Sequence, residues 1–155
     1  MLLLAACAPE DATWTFAKAA LDDAIAGYTD WASPRGWEDL SPSCTGAHGT
    51  YVRVYVDANA AAEDDASGPY SVGSTLVLDG LQDSVGTWKM TVAMHKVEAD
   101  SPLVGDWYWG QYDADGALVY SGDVPACWSC HQDAKDFAKH RGRPPEACGD
   151  TGAPI

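Results

Sequence analysis

Thr50-Tyr51-Val52-Arg53-Val54-Tyr55-Val56 alternates valines with larger aromatic or charged residues, and this period of two decides the fold. In an extended chain the three valines face one side, while Tyr51, Arg53 and Tyr55 face the other. Further strands are predicted at Ser74–Asp79, Thr87–Val97, Asp106–Tyr112 and Ala117–Tyr120, with Gly, Pro or Asp between them. Short connections favour antiparallel pairing. Asn59 is expected to cap a short alanine-rich helix, and Gly68-Pro69 to turn the chain. Asp113-Ala114-Asp115-Gly116 lacks the later ligands of a calcium loop and is expected to be a hairpin turn.

Before the strands, Trp14, Ala17, Leu21, Ala24, Ile25, Tyr28 and Trp31 recur at three- and four-residue steps, which predicts a helix from Glu10 to Trp31. Ser33-Pro34 ends it, and a loop is expected up to Gly49. The expected class is therefore α+β: a mainly antiparallel sheet, an N-terminal helix and a C-terminal helical segment. Leu4-Ala5-Ala6-Cys7 matches the lipobox of a bacterial lipoprotein signal, with Cys7 as the lipidated residue. The apolar stretch before it is short and lacks basic residues, so Met1 reads as an internal or misassigned start. Three regions follow: a signal remnant and tether over 1–9, one domain over 10–140, and a loosely structured tail over 141–155, with Pro144, Pro145 and Gly149.

The chain has 155 residues, 46% of them hydrophobic, and a formal charge of −14. That balance argues against a nucleic-acid partner, since no basic surface replaces phosphate counterions. A charge-steered partner would be cationic; an acidic surface also serves solubility alone. No stretch after Cys7 reaches the roughly 18 apolar residues of a membrane span, so membrane contact is expected only through a lipid at Cys7. Gly-x-Ser-x-Gly, phosphate-loop and His-Glu-x-x-His patterns are missing.

The chemistry concentrates in Cys127-Trp128-Ser129-Cys130-His131. C-x-x-C-H is the pattern by which two thiols take a haem through thioether bonds while the histidine supplies an axial nitrogen. A redox dithiol would call for a βαβ context, and a zinc site for a second ligand pair. One covalently attached haem c is therefore expected, with Cys127 and Cys130 as attachment points and His131 as iron ligand. Such haems are attached outside the cytoplasm, which places the chain on the periplasmic side of a bacterial membrane. The motif is expected to open the last helical segment, with Asp133, Lys135 and Lys139 on its solvated side. Cys44 and Cys148 remain, either bridged in an oxidising compartment or as two free thiols.

Several segments beyond the haem motif, in order, make the chain resemble the cytochrome P460 family, which includes the cytochromes c′-beta. They are Gly27–Trp31, Ala47–Val56, Gly73–Leu78, Thr91–Met94, Gly105–Trp109 and Cys127–His131. The resemblance implies an antiparallel β domain with flanking helices, often a homodimer, carrying one haem with an open distal position. Family members that oxidise hydroxylamine join a strand lysine to the haem edge. The matching position here is Leu78, which cannot form that bond, and Lys89 and Lys96 are expected to be solvated or stem-packed instead. Those members also use a distal carboxylate, and Thr91–Lys96 contains no acid.

A pocket walled by Leu78 and aromatic rings favours neutral diatomic ligands, because burying an unpaired charge is costly. The leading expectation is therefore a five-coordinate haem that binds nitric oxide or a similar ligand. An electron-transfer cytochrome and an oxidoreductase acting on hydroxylamine or nitric oxide are the alternatives, and no catalytic residue is assigned. His48 is expected to be a loop or pocket hydrogen-bonding residue, Met90, Met94 and His95 to lie on a strand, and His140 to lie at the surface.

Overall fold

A computed structural model describes residues 19–43, 46–98 and 102–141. Cys7, Cys44 and Cys148, with the expectations attached to them, lie outside the described residues, as do residues 1–18 and 142–155. Among the described residues, six strands form one sheet in chain order: β1 (Ser41–Pro42), β2 (Tyr51–Val56), β3 (Thr75–Leu81), β4 (Trp88–Lys96), β5 (Trp107–Asp113) and β6 (Leu118–Gly122). Every neighbouring pair is antiparallel. The alternation in the sequence thus carries through to topology, with strand ends shifted by a residue or two. β1 is an addition to the expected loop; its proline sits on an edge strand, where a missing N–H is tolerated.

Register gives the sheet two distinct faces. Leu78 pairs with Val54 on one side and Val92 on the other, and Met94 pairs with Trp109. These side chains share the face that carries Val52. The opposite face carries Tyr55, Val77, Ala93 and Tyr108, packed under Leu21 of helix α1, whose described residues are 19–24. Leu21 is fully buried, a burial that stabilises by about 2 kcal/mol. Gly110 makes the approach possible, since a Cβ there would lie 2.5 Å from Leu21 Cδ2. Tyr28 closes this layer by donating from its hydroxyl to Asp79 Oδ1 at 2.7 Å. Burial pushes the Tyr28 phenol above its usual range.

Helix α2 (Ala58–Glu63) starts at Asp57, not at Asn59, because Asp57 Oδ1 accepts from Ala60 N at 2.8 Å. The Asp113 turn forms as expected: Asp113 Oδ1 accepts from Asp115 N and Ala117 N, and Gly116 N donates to Asp113 O. Helix α3 (Pro125–His131) ends with the C-x-x-C-H motif, whereas the sequence placed that motif at a helix start. Pro125 accounts for the difference, because its fixed φ and missing N–H suit the first helical turn.

Of the two expected placements of Lys96, solvated or stem-packed, its burial contradicts the first. Its Nζ lies 2.7 Å from Asp136 Oδ1, with the two side chains 8% and 9% exposed. Arg141, the first residue of the expected tail, is packed instead. Its guanidinium donates to the carbonyls of Glu63, Asp64, Ala66 and Gly68 and lies over the Tyr70 ring at 4.2 Å.

Candidate cofactor-binding site

Cys127, Cys130 and His131 stand at i, i+3 and i+4 on α3, so all three share one helix face. After the helix the chain doubles back through a 3₁₀ turn, Lys135–Phe137. Asp136 and Phe137 there have φ of 48° and 60°, a left-handed conformation that costs energy in non-glycine residues. Asp136 secures that conformation. Its carboxylate accepts from Tyr70 N and Lys96 Nζ, both at 2.7 Å, and its carbonyl accepts from Trp107 Nε1 at 2.9 Å.

The doubled-back turn brings Phe137 O to 2.8 Å from His131 Nδ1. A carbonyl only accepts, so Nδ1 carries the proton and Nε2 keeps its lone pair. A histidine that ligates a metal is commonly fixed in this way, through its second nitrogen. Burial lowers the His131 pKa, the bond to Phe137 raises it in part, and Lys139 adds to the lowering. Neutral imidazole, the form that binds metals, is thereby favoured.

Beneath α3 lies a partly open cleft with a cavity volume of about 130 Å³. Val52, Val54, Leu78 and Val92 form its wall on the sheet, and Cys127 and His131 line it from the helix side. Trp37, His48, Lys139 and His140 also line it. The structure thus brings together Cys127, His131, Leu78, His48 and Met94 around one cavity. Cys130 is exposed on the same helix face.

Other candidates fall elsewhere. His95 belongs to the opposite face, with Nδ1 2.9 Å from Thr75 Oγ1. Lys89 lines a separate recess with Gln82 and Thr50. His140 corrects its expected surface position: its side chain is 7% exposed, and Nε2 lies 2.8 Å from Asp64 Oδ1 and 3.1 Å from the Tyr70 hydroxyl. Lys139 lines the cleft, although it was expected on the solvated side. The long-range fold of the segment after His131 produces both placements, and neither leaves a local periodic signal.

Trp109 was also missed as a site residue. Its ring centre lies 5.0 Å from that of His131, and its indole Nε1 is buried without a hydrogen-bond partner among the described residues. Buried donors are nearly always paired, so an orphan beside a cleft is one that a bound group with an acceptor would satisfy. Burial pushes the Cys127 thiol up, with Cys130 adding to the shift, opposite to the depressed thiol of a redox dithiol. No group of three or more His, Cys, Asp or Glu side chains able to hold a metal ion occurs among the described residues. Burial pushes His48 down to about 4, helped by His131 and then Lys139.

Two thiols and a tautomer-fixed histidine on one helix face, over an apolar cleft with an orphaned donor, fit a haem with two thioether links. In class, the molecule is an antiparallel β meander whose helix α3 covers an apolar cleft. No protein-family model and no curated protein matches the chain.

Proposed function

We propose that the chain is a mono-haem c-type cytochrome with a fold like that of the cytochrome P460 family. It binds nitric oxide or another neutral diatomic ligand at a haem with no lysine cross-link. The observation that carries this reading is the bond from His131 Nδ1 to Phe137 O, in a residue that lines the same cleft as Cys127 and Leu78. Cys127 and Cys130 would hold the porphyrin edge, and His131 Nε2 would ligate the iron. When bound, the haem would supply an iron able to take a diatomic ligand.

The chain's own residues set what that ligand meets. Val54, Leu78 and Val92 supply no charge and exclude water, which favours neutral ligands over ions. Leu78 offers no amine for a cross-link, Lys96 is tied to Asp136, and Lys89 lines another recess. Lys139 and the Trp109 indole N–H are donors suited to the carboxylates of a haem. A periplasmic location with a lipid anchor at Cys7 is part of the same proposal.

The test is optical. Protein matured with haem in the periplasm is scanned ferric and ferrous, with and without CO and NO. New Soret bands with both gases support the reading; a low-spin spectrum indifferent to both overturns it.

A further inference from the structure

Tyr70, Trp107 and Trp109 form a line of rings that ends on His131, and none of the three is more than 4% exposed. The Tyr70 and Trp107 ring centres lie 5.8 Å apart, edge to face. Trp107 and Trp109 stand two residues apart on β5, hence on one face of the sheet, and share a core cluster with Tyr70. Trp109 in turn lies 5.0 Å from His131.

The far end of this line holds a proton acceptor. The Tyr70 hydroxyl donates to Asp64 Oδ1 at 2.7 Å, and the same oxygen lies 2.8 Å from His140 Nε2. The indoles have no such base: Trp107 Nε1 donates to a peptide carbonyl, Asp136 O, and Trp109 Nε1 has no partner among the described residues. Two cations lie over the line, Lys96 Nζ 4.8 Å from the Trp107 ring centre and the Arg141 guanidinium 4.2 Å from that of Tyr70. They oppose a positive charge on either ring, and burial opposes it too. A ring here that loses an electron therefore comes to rest only where it also loses a proton, and Tyr70 has the carboxylate that takes it. A phenol short of one electron is a stronger acid than a carboxylic acid, so Asp64 accepts even though its neighbours hold it below the usual range. Tyr28 and Tyr112 also donate to carboxylates, but on the face of the sheet that α1 covers, away from the cleft.

We infer that Tyr70 is a redox-active residue, which returns an electron through Trp107 and Trp109 to a haem that a peroxide has oxidised. This inference rests on the haem reading above and adds a one-electron activity to it. Hydrogen peroxide takes two electrons from the haem and two protons from the medium and leaves as two waters. Tyr70 gives back one of those electrons. Its O–H bond breaks in the same event and the proton passes to Asp64 Oδ1, which leaves a neutral tyrosyl radical and a neutral carboxyl group.

The experiment mixes ferric holoprotein with hydrogen peroxide, freezes it rapidly and records electron paramagnetic resonance spectra. Wild type should show a tyrosyl radical. Tyr70→Phe should lose it, Asp64→Asn should lose most of it because the phenol has no base, and Tyr28→Phe should keep it. All three variants should carry haem and take up CO as wild type does. A tryptophan radical or no radical in the wild type overturns the inference by itself, even if Tyr70→Phe does not fold. An undiminished tyrosyl signal in Tyr70→Phe or in Asp64→Asn overturns it as well. In either case a holoprotein that still takes up CO and NO leaves the diatomic-binding reading in place. A tyrosyl radical lost in Tyr70→Phe, in a holoprotein indifferent to both gases, sinks that reading and upholds the role of Tyr70. A mature chain with no haem on Cys127 and Cys130 overturns both.

Discussion

Phe137 O sits 2.8 Å from His131 Nδ1 because Asp136, one residue earlier, is locked to Lys96 at 2.7 Å. A salt bridge at the end of β4 therefore reaches the proposed iron ligand through one turn of chain. Breaking a buried pair by removing one partner costs about 3–5 kcal/mol, since the other charge is left without compensation. Lys96→Met should show a loss of that order in urea denaturation. Lys96→Met combined with Asp136→Leu should cost less than the sum of the single changes. Equal costs in the double and the summed singles would mean that the two residues act separately.

Gly80→Ala tests the loop that carries His48. The new methyl group meets His48 O, and backbone that must shift in a packed region costs about 1–3 kcal/mol. The expected outcome is a stability loss in that range together with an altered holoprotein spectrum. A loss of stability with an unchanged spectrum would separate that loop from the site.

Leu78→Lys places an amine on the wall of the cleft opposite α3. If this position matches the family's cross-linking lysine, mass spectra of the mature protein should show an additional covalent link between haem and the peptide containing residue 78. The variant should also be less stable by about 2 kcal/mol or more, because its charged group is taken out of water without a partner. No added link would separate Leu78 from the family's cross-linking position.

Acid sensitivity should arise partly from Asp64. Burial alone would raise its pKa, but hydrogen bonds from His140 and Tyr70 outweigh burial and hold the carboxyl below its usual range. The folded value is thus below the unfolded one of about 3.9, so the stabilisation is present above that value and is lost as pH falls through the folded pKa. Asp64→Asn should destabilise by about 1.5–3 kcal/mol at neutral pH. The gap from wild type should narrow once the pH drops below about 4. A gap independent of pH would remove Asp64 ionisation from the explanation.

Strands were legible because Val52, Val54 and Val56 write their face directly into the sequence, and so do their partners Leu76 and Leu78. The cysteines and histidine of α3 were legible because their spacing is local. His140, Lys139, Trp109 and the Lys96–Asp136 pair were not, because they meet only when the segment after His131 folds back over the sheet. Nothing in the sequence spacing signals that two left-handed residues, Asp136 and Phe137, reverse the chain there. Asp57 displaced Asn59 as helix cap for a related reason: Asp57 Oδ2 also accepts from Thr75 N at 3.1 Å, so a contact from β3 fixes it in place.

The most direct measurement is mass spectrometry of the protein matured with haem in the periplasm, followed by ferrous spectra with CO. The expected result is one haem on the peptide that carries Cys127 and Cys130, no second link at Leu78, and a new Soret band on adding CO. A mature chain with both thiols free, or a haem spectrum unmoved by CO and NO, would contradict the proposed function.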